Sequence, residues 1–405
     1  MSHLLLLTIL HCVIRVQVAF YCASALVHGT AFVRWKRWSE EEKQRGWALY
    51  GWFTGLSFCG STAGALAYVC RLRQLELFYI YSKLVLETLT IVGPTNAELQ
   101  QMQTMRAESR RWTAAYYALV PFEECFSILV KLIVLYRVQS FAVNRSSHPE
   151  RWRKARWGLL GVVVLLNALG ICGNFGAAFY YNQAADANVD AASAFAANNT
   201  AMGKELRDVA NHRYERAGNV ASIQRFSEVS VLMLTITAFS TVGVFSARVI
   251  ASAMRTLLTA QERFVSVAGA AGEQGRQLVA AASLQGRQLQ RKVLGTFVFV
   301  FITVLVRSVF TFIYAVAQAL DDNDLPCAII FCDPCHNVYT NIHGWILYTP
   351  AFQQVPTLIA SPIALLVALW GMSGVRALEE SSRVQMSIEM NSQKVTRGVT
   401  PDRTA

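Results

Sequence analysis

The chain has 405 residues, of which 54% are hydrophobic and 16% charged, with a formal net charge of +11. Soluble domains carry about 25% charged residues, so the composition excludes an ordinary soluble protein and points to a bundle of membrane helices. The basic excess does not imply nucleic acid as a partner, because lysine and arginine crowd into loops between apolar stretches, as they do on the cytoplasmic side of a bilayer.

A helix needs about 20 mainly apolar residues to cross about 30 Å of hydrocarbon. Seven segments qualify: 4–33, 47–70, 113–137, 157–181, 226–250, 294–320 and 350–373. In the first, Ala23-Ser24-Ala25 resembles a signal-peptide cleavage site, but Met1-Ser2-His3 lacks the basic start such peptides need. Cleavage would also place the basic loop 34–46 outside, so an uncleaved span is expected. Before the second segment, Ser39 and Glu42 form a capping box. Within it, Gly51-x-x-x-Gly55 and Gly60-x-x-x-Gly64 allow close helix approach, within the bundle or in a dimer. The stretch 72–92 is apolar but carries Arg73, Glu76, Lys83 and Glu87 at helical spacing, which suggests an extension of the second helix or an interfacial helix rather than a span.

The fourth segment holds Gly158, Gly161, Gly170, Gly173 and Gly176 and should pack closely. The seventh contains Pro356 and Pro362, candidate hinges because proline removes a backbone hydrogen bond. Trp35, Trp38, Trp47, Trp112, Trp152, Trp157 and Trp345 fall near span ends, where amphipathic rings settle.

Seven spans place 34–46, 138–156, 251–293 and 374–405 on one side. The first three carry Arg34, Lys36, Arg37, Lys43 and Arg45; Arg145, Arg151, Arg153, Lys154 and Arg156; and Arg255, Arg263, Arg276, Arg287, Arg291 and Lys292. The opposite loop 321–349 has no lysine or arginine and contains Asp321, Asp322, Asp324 and Asp333. The positive-inside rule therefore sets the N-terminus outside and the C-terminus in the cytoplasm. The connection 71–112, with several arginines on the outer side, runs against this, but long loops count for less. Asn198-Asn199-Thr200 is a glycosylation sequon on the outer side, whereas Asn144-Arg145-Ser146 falls inside and reads as chance. The outer connection 182–224 reads as a loop with a polar helix over 202–217.

Cys327, Cys332 and Cys335 share the loop 321–349, and Cys70 ends the second helix on the same side. Four cysteines facing an oxidising compartment suit disulfides, in any of three connectivities. Cys332-Asp-Pro-Cys335 with His336 and His343 also has metal-ligand spacing; the compartment favours disulfides, and no metal or cofactor is expected. In the loop 251–293, Gly275-Arg276-Gln277-Leu278 recurs as Gly286-Arg287-Gln288-Leu289. The 11-residue repeat keeps one helical face and offers a basic surface to a cytoplasmic signalling protein, or to lipid. The tail 374–405, with Ser381, Ser382, Ser387, Ser392, Thr396 and Thr400 among basic residues, reads as a disordered segment open to phosphorylation.

Ionisable residues inside a bilayer are costly, so each is a functional candidate. Arg15 lies in the first span, Glu123, Glu124 and Lys131 in the third, Glu228 in the fifth and Arg307 in the sixth. Antiparallel spans bring Glu124 and Arg307 to similar depth. Two readings stand: a ligand pocket or charge switch among helices one, three, five and six, and a static ion pair that sets helix register.

Seven spans with this orientation resemble the G-protein-coupled-receptor architecture. Leu135-Tyr136-Arg137 matches that family's acidic-Arg-aromatic motif through the arginine, and Ser361-Pro362-Ile363-Ala364-Leu365 matches its Asn-Pro-x-x-Tyr motif through the proline. Helix six lacks the family's proline, helix two its aspartate and the second outer loop its cysteine. Gly46-Trp47, Leu135-Tyr136 and Arg307 are also similar to the plant tobamovirus-multiplication and orphan-receptor-like seven-span proteins. Helix seven has no lysine for a retinal Schiff base. The resemblance implies a receptor for a small extracellular ligand; an ion- or proton-coupled transporter or channel and a non-catalytic membrane scaffold are the alternatives. No H-E-x-x-H, G-x-S-x-G, P-loop or intramembrane aspartate pair indicates an enzyme. The expected setting is the plasma membrane or an endomembrane of the secretory pathway, with residues 1–373 as one seven-helix domain in the lipid bilayer.

Overall fold

The computed structural model describes residues 3–40, 48–89, 94–143, 149–267, 291, 295–316, 346 and 353–370. It contains helices and no strand among the described residues. The helices are α1 (His3–Lys36), α2 (Ala48–Leu89), α3 (Asn96–Val143), α4 (Pro149–Ala196), α5 (Thr200–Val267), α6 (Gly295–Val316) and α7 (Gln354–Trp370). Four stretches are long and apolar enough to cross a membrane: Thr8–Lys36, Ala48–Val85, Arg153–Ala196 and Gly295–Val316. In α3, Glu123, Glu124 and Lys131 interrupt the apolar run, and α7 is short. The surface matches hydrocarbon better than water: Leu26 is 71% exposed, Trp52 65% and Leu165 62%, while Glu123 and Lys131 are each 1% exposed. Large exposed apolar faces over a charged interior invert the pattern of a soluble protein.

As far as Leu89 the stretch 72–92 extends the second helix, one of its two expected forms, and the polar helix expected over 202–217 lies within a longer one, while the other described parts of the connections 71–112 and 182–224 are also mostly helix. Residues 71–89 continue α2, 96–112 begin α3, 182–196 end α4 and 200–224 begin α5. At 48 residues α3 and α4 each run about 70 Å, and at 68 residues α5 runs about 100 Å. These helices therefore project well past the span length, as two hairpins at one end of the bundle. Alanine explains why the second hairpin stays helical despite its polarity: it is the best helix former and carries no side-chain entropy cost. Ala184, Ala185, Ala187, Ala191, Ala210 and Ala217 are buried where the hairpin packs.

The hairpin tips are defined by caps. Thr95 and Glu98 make a reciprocal box: Thr95 N–H donates to Glu98 Oε2 at 2.7 Å and Glu98 N–H to Thr95 Oγ1 at 3.3 Å. These bonds hold the exposed Glu98 carboxylate below its usual pKa, through the backbone N–H first. At the other tip Asn198 adopts φ 58°, in the left-handed region. Asn199 N–H reaches Ala194 O at 2.9 Å and Asn198 N–H reaches Phe195 O at 3.0 Å, a Schellman ending with asparagine in place of glycine. Asn199 Oδ1 then accepts from Met202 N–H at 3.2 Å and starts α5. The tips touch: Asn96 Nδ2 donates to Asn198 Oδ1 at 3.1 Å, and Thr200 Oγ1 donates to Asn96 Oδ1 at 3.2 Å.

Chain neighbours pack in order, α1 on α2, α2 on α3, α3 on α4 and α4 on α5, and α3 also meets α5. Two large apolar clusters result, with a small third one formed by Ile128, Val163 and Val231. One lies toward the hairpin end and includes Ile14, Tyr21, Tyr68, Leu75, Tyr117 and Tyr181. The other lies toward the opposite end and includes Phe53, Val130, Leu232, Phe239, Val300 and Leu365. The glycines of α2 pack within the bundle. A Cβ at Gly51 would overlap Trp35, one at Gly64 would overlap Tyr21, and Gly55 and Gly60 lie against Phe32 and Phe126. In α4, Gly173 and Gly176 face Gln224 and Val220 of α5, whereas Gly158 and Gly161 face open space. The Ser39–Glu42 box, the second sequon, the arginine repeats, Cys327, Cys332, Cys335 and the tail lie outside the described residues or run into them.

Gly64→Ala should destabilise the protein by about 1–3 kcal/mol, because fully buried Tyr21 has no room to retreat. Gly161→Ala should be neutral or stabilising by up to about 1 kcal/mol. Thermal unfolding of the purified protein in detergent checks the pair, and equal losses would contradict this packing.

Candidate functional site

Between the two apolar clusters lies a layer of buried charge. Glu123 and Glu124 of α3, Arg225 and Glu228 of α5 and Arg307 of α6 are all less than 9% exposed. Arg307 donates to Glu228 Oε1 from Nη2 at 2.7 Å and from Nε at 3.1 Å. The guanidinium thus grips one carboxylate through two donors, and its Nη2 lies 3.9 Å from both Glu123 and Glu124. Arg225 Nη1 bridges Glu228 Oε2 at 3.1 Å and Glu124 Oε1 at 3.2 Å. Gln224 Nε2 completes the shell of Glu124 with a 2.8 Å bond to Oε2.

The adjacent glutamates point to different partners, as the 100° step of a helix requires. Glu124 faces α5. Glu123 accepts from Tyr21 of α1 at 2.9 Å and from Ser361 of α7, and Ser361 Oγ also lies 2.8 Å from Ser127 Oγ. One α3 dipeptide therefore ties four other helices together. Lys131 lies about 10 Å along α3 from Glu124. It is fully buried, and its Nζ makes no hydrogen bond to any described residue. Three carboxylates, two guanidinium groups and this ammonium sum formally to zero, the condition under which a low-dielectric interior tolerates so many charges.

The structure brings Glu123, Glu124, Glu228 and Arg307 together, with Lys131 below them. It places Arg15 elsewhere. The buried face of α1 runs through Leu10, Ile14, Gln17, Tyr21, Ser24 and His28, and Arg15 is exposed one residue off it. Arg225 escaped the sequence reading because it sits one residue before the fifth apolar segment. Its i,i+3 spacing from Glu228 was the available signal. Ser361 carries no such signal, since a single serine hydroxyl in a span usually bonds its own helix, and a lone tyrosine such as Tyr21 reads as an ordinary packing ring.

Pro356 occupies the first turn of α7, where proline is tolerated, and Pro362 sits in a π-helical turn, Ile359–Ile363, beside Ser361. A further proline, Pro121, lies in α3 just before the glutamates. Cys70 is a buried free thiol, and the other cysteines among the described residues, Cys12, Cys22, Cys59, Cys125 and Cys172, are also free. Among the described residues no group of histidine, cysteine or carboxylate side chains is arranged to hold a metal ion.

Above the charge layer, toward the hairpin end, a cavity of about 560 Å³ opens between α2, α3 and α5. Six tyrosines form a chain of ring contacts that reaches it from the layer: Tyr21–Tyr68, Tyr68–Tyr116, Tyr116–Tyr117, Tyr117–Tyr181 and Tyr181–Tyr214, with centroids 5.2–6.0 Å apart. Arg225 belongs to both places. It lines the cavity floor and holds Glu124 and Glu228.

Arg307→Gln alone should cost about 3–5 kcal/mol, since it leaves Glu228 buried with the two donors of Arg307 gone and that of Arg225 remaining. Glu228→Gln with Arg307→Gln should cost less than the two single changes summed, by at least about 1 kcal/mol. A double-mutant cycle on unfolding in detergent checks this, and strict additivity would contradict a direct pair.

No family model, curated protein or solved structure matches the chain, so its function is argued from these side chains.

Proposed function

We propose that the chain is a seven-transmembrane, receptor-like membrane protein. In this reading the hairpin end faces outside, the C-terminus is cytoplasmic, and a small extracellular ligand is signalled to a cytoplasmic partner. The observation that carries it is Arg225, which joins an open cavity at one end to a buried, mutually compensating charge layer at mid-bundle. An equilibrium shifts only by a ligand's differential affinity for two states. A ligand that draws on Arg225 has such a preference built in, because it competes with Glu124 and Glu228. Release of either carboxylate loosens the hold of Arg307 and allows α5 and α6 to move against α3. The basic segment 251–293, whose first part (251–267) is the end of α5, is the proposed contact for the cytoplasmic partner.

The second reading is proton- or ion-coupled transport. It rests on Lys131, a buried ammonium with no hydrogen-bond partner among the described residues, beneath three carboxylates. Intramembrane groups of this kind mark proton relays as well as switches. The hairpin tip supplies the topology test: Asn198 is exposed, and its sequon is proposed to be glycosylated on the outer side.

In a second-messenger assay with matched surface expression, Arg307→Ala and Glu124→Ala should change basal signalling relative to wild type, by about tenfold for each 1.4 kcal/mol moved between states. Absent and unchanged signalling in all three proteins, with proton flux lost in Lys131→Met, would replace the receptor reading by transport. A glycosidase-sensitive mobility shift that disappears in Thr200→Ala should mark the hairpin end as lumenal or extracellular; its absence, with Asn198 fully reactive to cytoplasmic-side proteolysis of the tip, would reverse the orientation.

A further inference from the structure

The cavity above the charge layer has an unusual lining. Among the described residues, Arg71, Arg106, Arg110, Arg216 and Arg225 border it, against a single carboxylate, Glu215. Glu215 is itself directed to His212, whose Nδ1 lies 3.6 Å from its Oε2. Among the described residues, Arg71, Arg106 and Arg110 have no carboxylate within ion-pair distance. Arg110 is buried, with its guanidinium bound to Ala210 O and Asn211 Oδ1 at 3.0 Å. Burial lowers its pKa to about 10, so it stays charged at neutral pH. Packing several unneutralised guanidinium groups around one cavity sets like charges against each other with little water to screen them.

Four of these arginines are held over tyrosine faces. Arg106 lies 4.7 Å from the Tyr81 ring centroid, Arg110 4.8 Å from Tyr214, Arg71 5.7 Å from Tyr116 and Arg225 5.7 Å from Tyr314. A ring face attracts a cation without neutralising it and leaves the in-plane N–H donors free for an acceptor. Arg225 Nε is such a donor: it is buried and makes no hydrogen bond to any described residue. Among the described residues the site is therefore rich in fixed, planar donors and aromatic surface and poor in carboxylates.

We infer that this cavity is a binding site for a small organic anion, with a carboxylate, phosphate or sulfate group held by Arg71, Arg106, Arg110 and Arg225 and a flat or apolar body lying among the tyrosines. Guanidinium planes match the oxygen geometry of such groups, and about 560 Å³ suits a metabolite-sized molecule. The inference rests on the receptor reading for its consequence, since an anion at Arg225 withdraws that arginine from Glu124 and Glu228; the site itself stands on the lining alone. The anion has two sources, a dissolved molecule or a lipid headgroup at the rim of the bundle, which share this chemistry.

The test uses the full-length protein in phosphatidylcholine nanodiscs, with phenyl phosphate as probe and benzyl alcohol as its neutral counterpart. Phenyl phosphate should raise the unfolding temperature saturably, and benzyl alcohol should not. Arg106→Gln removes a guanidinium that makes no hydrogen bond to any described residue and so should still fold; it should raise the phenyl phosphate midpoint about tenfold or more. If the natural source is lipid, nanodiscs containing phosphatidylglycerol should stabilise wild type but not Arg106→Gln and should block the phenyl phosphate effect. No stabilisation by either anion, or equal midpoints in wild type and Arg106→Gln, would overturn the site. Binding that depends on Arg106 with no change in second messenger would retain the site and remove the receptor reading; a messenger response that survives Arg106→Gln unchanged would do the reverse.

Discussion

The grip of Arg307 on Glu228, shared through Arg225 with Glu124, is the interaction on which the rest of the structure depends. Neither ion is tolerable alone in the interior of this bundle. An isolated buried charge costs several kcal/mol even after relaxation, and here three carboxylates and three cations are enclosed between two apolar clusters. Their formal balance fixes the rotation of α3, α5 and α6 about their axes, since turning any one by a residue would strand a charge in hydrocarbon-like packing. Glu123 extends the constraint to α1 and α7 through Tyr21 and Ser361. The close approach of α1 to the glycines of α2 follows from the same demand, because Tyr21 reaches Glu123 only by lying where Gly64 has no side chain.

A layer of this kind is suited to having two arrangements. Apolar packing among the clusters is redundant, with many small contacts of similar worth, whereas the charge layer has few members and each answers to several partners. Arg225 is the member that opens onto the cavity, and the tyrosine chain from Tyr21 to Tyr214 connects the two regions with rings in contact. A perturbation at the cavity therefore meets first the one residue whose departure unbalances the layer. The π-helical turn at Pro362 lies beside Ser361, and Pro121 lies just before Glu123, so α3 and α7 each carry a break in regular helix bonding next to the layer.

Much of this was legible in the sequence because membrane interiors penalise charge so steeply. Glu123, Glu124, Lys131, Glu228 and Arg307 could be singled out from apolar surroundings alone. Arg15 shows the limit of that argument: depth can be read from position along a span, but which way a side chain points depends on the face chosen by Leu10, Ile14 and Tyr21, and a single residue step moves it away. Arg225 fell on the far side of a drawn boundary, although α5 runs through that boundary without a break. The helical extension of α2 and the polar helix over 202–217 were legible, but the same error of scale left 96–112, 182–196 and 218–224 as mere connections. Hydropathy marks where a helix meets lipid and says nothing of where it ends, and the endings were written instead in Thr95-x-x-Glu98 and in Asn198-Asn199. The arginine-lined cavity was the least legible feature, since its walls come from α2, α3 and α5 at positions more than a hundred residues apart, and each arginine by itself looks like an ordinary loop charge.

The most direct test of the charge layer is the nitrogen-15 spectrum of arginine side chains in the full-length protein reconstituted in nanodiscs. The account predicts a slowly exchanging Nε–H resonance, shifted downfield, that disappears in Arg307→Lys and moves in Glu228→Gln while Glu76→Gln leaves it in place. An Arg307 Nε–H that exchanges at the rate of a solvent-exposed guanidinium, and does not respond to Glu228→Gln, would contradict it.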